Sequence, residues 1–533
     1  MQAATHERRF AVDRLLIRDG TVLDGTGRPG FEADVEVKDG VITAVAPRLP
    51  AGAADRVLDA RGLAVAPGFI DAHAHSDTTF LKDDSGASKL FQGITTEISG
   101  NCGSSPFPCP DGKAEAGSWR CASFGEFLDR FDREKSRMAV NQALLVGHGS
   151  LRESVVGADD RPATEAELEE MYRLLDEDLS QGAWGMSLGL EYAPGCFADT
   201  RELGFLAGAV KKHGGIVTCH MRSEGLHIGE AIDELVSIGR ESGAHVHISH
   251  LKLDNHSVHG KAREVWERVL SARECGVDIT ADVYPYTASS TTLTIRCPRW
   301  SLDGGDEALL DRLAGPRRRE IVEGIRAHYP TAARAETCLF SDDGGLWPEI
   351  VGKTLKEVAE TMLCTRDYAE AAARVIERTR ARVWCVFFVM SKADILYFLS
   401  RDVSVGSDGR ALPADPEKVG GKPHPRSYGA VAEFFRLARE KRLCTLEEAV
   451  KRVTLDTALR FGVTDRGIIS VGKKADITVF DLEAIAPRAT YLDPVRTAAG
   501  VKHVVINGGV ALENGVQTEY RGGRFLRQDI WQY

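Results

Sequence analysis

Two histidines at i and i+2, His73 and His75, close the apolar run LAVAPGFIDAHAHSD, with Asp71 beside them. Successive side chains on a strand point to opposite faces, so the two imidazoles share a face. Two imidazoles on one face with a carboxylate nearby make half of a divalent-metal site. Taken alone, the pair is also what two chance surface histidines look like. Further ligand-type residues recur downstream, each at the end of a short apolar run. They are Cys102 in ISGNCGSSP, His148 in VGHGS, His220 in IVTCHMRSEG, His250 and Lys252 in VHISHLK, Tyr284 in DVYPYTASS and Asp408 in VGSDG.

The elements that must position them follow from the apolar pattern. Eight strand candidates, 65–75, 93–101, 141–148, 183–189, 214–222, 244–252, 278–286 and 403–408, alternate with stretches of helical period such as ATEAELEEMYRLLDEDLSQG. That alternation predicts an α/β fold with a (β/α)8 TIM barrel over residues 67–464, whose functional groups gather at the C-terminal strand ends. A charged stretch at about 291–345 reads as an irregular, lid-like insertion over the barrel mouth. Both chain ends, 1–66 and 465–533, carry short strands, with Asp-Gly and Gly-Thr-Gly turns at the first, and are expected to pair into a small β-sandwich domain.

Each candidate has a plainer reading. A cysteine is most often a small buried residue, but Cys102 sits in a loop of glycine, serine and proline at a strand exit. Asp408 could be a turn carboxylate, though glycines at 406 and 409 leave room around it. His148 reads better as a loop hydrogen-bonder than as a ligand. Parity in HVHISH selects His250 and turns His245 and His247 to the other face; Cys219 next to His220 is expected in the core.

Composition bounds the rest. The chain has 533 residues, 43% hydrophobic and 27% charged, with net charge −11, which argues against a general nucleic-acid surface. No apolar run is long enough to span a membrane, and the N-terminus shows no signal-peptide core. Eleven cysteines without CxxC pairs fit a reducing compartment, so a cytoplasmic location is expected by default. Oligomeric state is not readable.

The motifs GFIDAHAHSD, SGNCGSSP, GGIVTCHMRSEG, ISHLK, DVYPYTASST, GSDG and HPRSYG, with the C-terminal YLDPVRTAAGVKHVVINGGVALENG, resemble the amidohydrolase superfamily and within it the N-acyl-D-amino-acid deacylases (D-aminoacylases). The resemblance spans about residues 14–527 and is weaker over 291–345 and VWCVFFVMSKADILYFL. It implies that His73, His75 and Asp408 form one metal subsite, and that Cys102, His220 and His250 form a second, tighter one for zinc, leaving a second, weaker metal open. It also implies a substrate-carboxylate pocket of Lys252, Tyr284, Ser290 and Arg426. Strand four, WGMSLGLEYAPG, lacks the bridging lysine of many relatives, which argues against a cyclic-amide hydrolase of the dihydroorotase or hydantoinase kind. Glu191 lies just beyond that strand.

The expected activity is therefore hydrolysis of the linear amide of N-acyl-D-amino acids, with a related amidase on another carboxylate-bearing amide as the alternative. Zinc lowers the pKa of a bound water to about 7, so hydroxide attacks the amide at neutral pH. Asp408 acts as base and then acid. A non-catalytic scaffold would have lost ligands, and none of the six is missing.

Overall fold

The computed structural model describes residues 14–528 apart from 53, 55 and 110–117. The two chain ends build one hydrogen-bonded sheet of nine strands. Five come from the N-terminal side (Arg14–Val22, Phe31–Lys38, Val41–Ala46, Arg56–Asp59, Ala64–Pro67) and four from the C-terminal side (Ile477–Phe480, Val501–Ile506, Gly509–Glu513, Val516–Gln517). The expected sandwich of two sheets is thus corrected to a single sheet, joined where Val65 faces Val479. Its hairpins turn at Asp39-Gly40, Asn507-Gly508 and Asn514-Gly515, each with positive φ at both residues. That is the conformation a two-residue turn needs to match strand twist, and Asx-Gly adopts it at least cost. Leu15, Ile17, Val35, Val37, Val479 and Val505 share one buried face of this sheet.

Between the ends run eight parallel strands: one (Phe69–Asp71), two (Ile94–Ser99), three (Asn141–Leu144 and Val146–Gly147), four (Gly185–Gly189), five (Ile216–His220), six (His245–Ile248), seven (Ile279–Val283) and eight (Ser404–Val405). They fall in a four-stranded and a six-stranded sheet that share strand three. Leu145 N donates to Ser99 O at 2.9 Å and Trp184 N to Leu144 O at 2.9 Å, so strand three bonds to both neighbours across its break. At the other side Ala72 N reaches Val405 O at 3.2 Å, and Ala74 bridges Gly409.

Two expectations change here. The single strand 65–75 is two strands, because Ala64–Pro67 joins the nine-stranded sheet and Phe69–Asp71 the parallel one. Gly68 makes the switch, and any Cβ there would collide with the Thr95 side chain. The insertion is not irregular: it holds the helices Gly305–Ala314, Arg318–Arg326 and Ala332–Glu336. It also extends past 345, through the helix Tyr368–Arg378, to a three-stranded antiparallel sheet of Ser289–Thr292, Cys338–Asp342 and Trp384–Phe387. Leu309, Ile321, Ile325, Phe340, Val375 and Phe387 give it a core of its own.

Helices on the parallel strands form as their sequences suggest. Glu165–Ser180 starts at Thr164, whose hydroxyl accepts from Glu167 N while the Glu167 carboxylate accepts from Thr164 N. Leu168, Met171, Leu175 and Leu179 then pack inward. No helix among the described residues is long and apolar enough to cross a membrane.

Candidate active site

The strand ends bring the expected donors together. His75 Nε2 lies 3.1 Å from Asp408 Oδ1, and His73 Nε2 lies 3.8 Å from the same oxygen. Cys102 Sγ is 3.4 Å from both His73 Nε2 and His250 Nε2, and His220 Nδ1 is 3.1 Å from His250 Nε2. The sets His73/His75/Cys102, Cys102/His220/His250 and His73/His250/Asp408 each place their ligand atoms within 4.8 Å of one another.

Cys102, His250 and Asp408 all have left-handed backbones, with φ of 53°, 38° and 49°. Such a conformation costs a residue other than glycine roughly 1–3 kcal/mol and persists where its surroundings over-determine it. Those surroundings are visible. Asp408 N donates to His73 O at 2.8 Å, and His250 N donates to Asp282 Oδ1 at 3.0 Å. Gly189 backs Cys102 so closely that a Cβ would run into the Cys102 carbonyl.

The donors suit a soft divalent cation. Burial, with the Lys252 ammonium adding to it, pushes His250 down to about 3, and burial pushes His75 down to about 4, so both rings are neutral with free lone pairs. Burial and the nearby Asp408 hold the Cys102 thiol well above its ordinary value. Asp408 is held far below the usual carboxylate range: burial opposes this, but Arg426, His250 and His75 outweigh it. The far ring nitrogens meet carboxylates, with His250 Nδ1 2.9 Å from Glu224, His220 Nε2 3.2 Å from Glu191 and His73 Nδ1 3.6 Å from Asp282. Carboxylates placed so orient histidine ligands. One thiolate, imidazoles and a carboxylate at these separations fit zinc.

A cavity of about 820 Å³ opens over the cluster. His75, Cys102, His220, His250, Lys252, Ser290, Asp408 and Arg426 line it, together with Glu191 and Arg296. His73 is fully buried behind it. Tyr284 is also buried, its hydroxyl without a partner and its ring 4.8 Å below the Arg426 guanidinium. Ser289–Thr292, Ser341, Asp342 and Trp384 show that the insertion forms part of the wall.

The two cations expected to bind a substrate carboxylate already face carboxylates. Arg426 Nη1 lies 2.8 Å from Asp408 Oδ2, and Nη2 donates to Ser290 O at 3.3 Å. Lys252 is paired with Glu224, and its Nζ is 3.0 Å from His250 Nδ1. Asp71 is turned away from the cluster, accepting from Lys89 Nζ at 2.8 Å and Ser407 N at 2.7 Å. Arg222 pairs with Glu234, at 2.9 Å. His148, expected in a loop, instead opens the helix His148–Val155 and is buried against Glu202 at 2.8 Å. His247 contacts Asp282 at 2.9 Å, and Cys219 lies in the core. Asp282 and Glu224 were not singled out from sequence. Asp282 shares parity with Tyr284, so period-two counting could have found it; Glu224 sits in an irregular loop, where no period applies.

A closed cluster of metal donors at the C-terminal ends of parallel strands defines a metal-dependent hydrolase type of site. Residues 56–321 and 403–511 match the model of the amidohydrolase family. The chain belongs to that family and, within it, to the group of the N-acyl-D-amino-acid deacylases. It is 35% identical to an N-acyl-D-glutamate deacylase of Alcaligenes xylosoxydans xylosoxydans, over 97% of this chain and 96% of that one. A D-aminoacylase of the same organism is 34% identical over 96% and 97%. Among solved structures, the N-acyl-D-glutamate deacylase of Bordetella bronchiseptica, complexed with zinc and a phosphonate mimic of the tetrahedral intermediate, superposes with a TM-score of 0.81 at 31% identity, covering 96% and 99%. A D-aminoacylase superposes with a TM-score of 0.80 at 33% identity, covering 97% and 100%. The family match skips 322–402, which lies mostly within the insertion.

Proposed function

We propose that this chain is a zinc-dependent deacylase that hydrolyses N-acyl-D-amino acids to a carboxylic acid and a free D-amino acid. The observation that carries this is the convergence of Cys102, His220 and His250 on one point beside His73, His75 and Asp408. Zinc held there, with Cys102, His220 and His250 as the tighter set, would lower the pKa of a water and polarise the amide carbonyl. Asp408 takes the proton from the attacking water and hands it to the leaving nitrogen. Its low proton affinity keeps it ionised at neutral pH. Arg426, Lys252, Ser290 and the unpartnered Tyr284 hydroxyl hold the substrate's α-carboxylate, which shares the two cations with Asp408 and Glu224.

Arg296 points to an acidic side chain. It lines the cavity, rests over the Phe387 ring at 4.5 Å and has no ion-pair partner among the described residues. The relatives named for D-glutamate and D-aspartate substrates agree with a carboxylate there. The neighbours at 31% and 33% identity also support reading the eight parallel strands as one closed (β/α)8 barrel over 67–464. The helical insertion lids that barrel, and 1–66 with 465–533 form the small β-domain. Eleven unpaired cysteines fit a cytoplasmic location.

Metal analysis combined with assays on both enantiomers of an N-acyl-amino-acid panel tests this. We expect at least one zinc per chain and cleavage of D forms, acidic ones best. Arg296→Leu should lower kcat/KM for N-acyl-D-glutamate by roughly 10–100-fold, the value of one charge-assisted contact, and spare N-acyl-D-leucine. Full activity without a transition metal overturns the proposal.

A further inference from the structure

His250 faces a choice of tautomer. Its Nε2 points into the cluster, 3.4 Å from Cys102 Sγ and 3.1 Å from His220 Nδ1. For Nε2 to offer a lone pair to a metal, the ring hydrogen must sit on Nδ1. Two groups reach Nδ1: Glu224 Oε1 at 2.9 Å and Lys252 Nζ at 3.0 Å. They demand opposite tautomers. An Nδ1–H calls for an acceptor, and Glu224 Oε1, 2.9 Å away, is a buried oxygen that no other donor among the described residues satisfies. The Lys252 ammonium can only donate, so it favours a bare Nδ1 and moves the hydrogen to Nε2, into the metal subsite. The second oxygen of Glu224 pairs with that same ammonium. Glu224 is 1% exposed, at the wall of the cavity.

We infer that Glu224 is a positioning residue that sets the His250 tautomer, by accepting from Nδ1 with one oxygen and restraining the Lys252 ammonium with the other. This rests on the zinc site proposed above. Without Glu224, Lys252 would become an antagonist of metal binding. With it, one carboxylate joins a metal ligand to a substrate-binding cation.

The test is zinc affinity of the full chain, stripped of metal and titrated against a chelator without substrate. Glu224→Gln keeps the volume but leaves one carbonyl oxygen for two donors. It should weaken zinc binding by roughly 10–100-fold, the usual cost of losing such a partner. Adding Lys252→Met frees that oxygen for Nδ1–H and should restore affinity to within about threefold of wild type, the rise in KM for N-acyl amino acids remaining. A structural defect would not be rescued by a second loss. Unchanged affinity in Glu224→Gln overturns the inference, as does a double variant as weak as the single one. Should the variant not fold, imidazole ¹⁵N shifts of the metal-free wild-type protein decide: His250 must carry its hydrogen on Nδ1. Wild-type protein that binds no zinc sinks the proposed function; wild type that binds zinc beside an unaffected Glu224→Gln sinks only this inference.

Discussion

On the proposed mechanism Asp408 does two jobs within one carboxylate, so its replacement separates them. Asp408→Asn keeps the shape and one ligand oxygen but loses the basic site. The variant should fold and keep zinc at Cys102, His220 and His250, and kcat should fall by at least about 10²-fold. Near-wild-type turnover would move the proton to Glu191, which lines the same cavity; His148 is locked onto Glu202 and does not line it. Arg426→Ala should impair neutral amides as well as acid substrates, and the acids more, since Arg426 grips Asp408 and also holds the substrate carboxylate. Cys102 predicts a pH dependence. Its thiol stays protonated well past neutrality, so binding zinc expels a proton. Zinc affinity of the metal-free protein should therefore rise at least about tenfold per pH unit through neutrality, with His220, whose proton burial opposes but Glu224 and Glu191 hold, adding to the slope; a flat profile would mean Cys102 is not a ligand. The six candidate donors stand out in the sequence because each ends an apolar run. The partners of the two cations do not: Lys252 and Arg426 carry no periodic sign of the carboxylates that tertiary folding brings to them.

Strand and helix positions followed from period, and the misreadings have physical causes. A run that looks like one strand from 65 to 75 serves two sheets, because Gly68 lets the backbone turn against Thr95 without changing the apolar pattern. The insertion looked irregular because its helices wear their charges outward. Arg318 reaches Glu377 and Glu370, and Arg326 reaches Asp367, while Ile321, Val322 and Ile325 face in. Removing the Thr164 cap tests the helix it starts. Thr164→Ala should cost about 1 kcal/mol in denaturant unfolding, with activity per folded molecule unchanged. The Glu167 carboxyl of that cap is held at about 2 by Arg161 and then by Thr164. A depressed carboxyl stabilises fully above its unfolded value of about 4 and loses that effect as pH falls to about 2. Ala keeps both Arg161 and the backbone N–H of residue 164, so the penalty of the variant should shrink only slightly over that window.

At the scale of the molecule, the catalytic strands lie between two chain ends that need each other. Ala64–Pro67 is paired on one side by Arg14–Val22 and on the other by Ile477–Phe480. The late segment Phe525–Leu526 also extends the sheet of strand three. Deleting residues after 476 should leave Ala64–Pro67 as an open edge and yield insoluble protein, whereas a soluble, metal-binding product would show that the parallel strands stand alone. The same join has a consequence in time. Val65 emerges from the ribosome more than four hundred residues before its partner Val479. At typical rates of synthesis that is a wait of roughly 20–80 s. Throughout it the nascent chain presents an apolar, half-paired edge, so chaperone occupancy on translating ribosomes should persist until the last sixty or so residues are made.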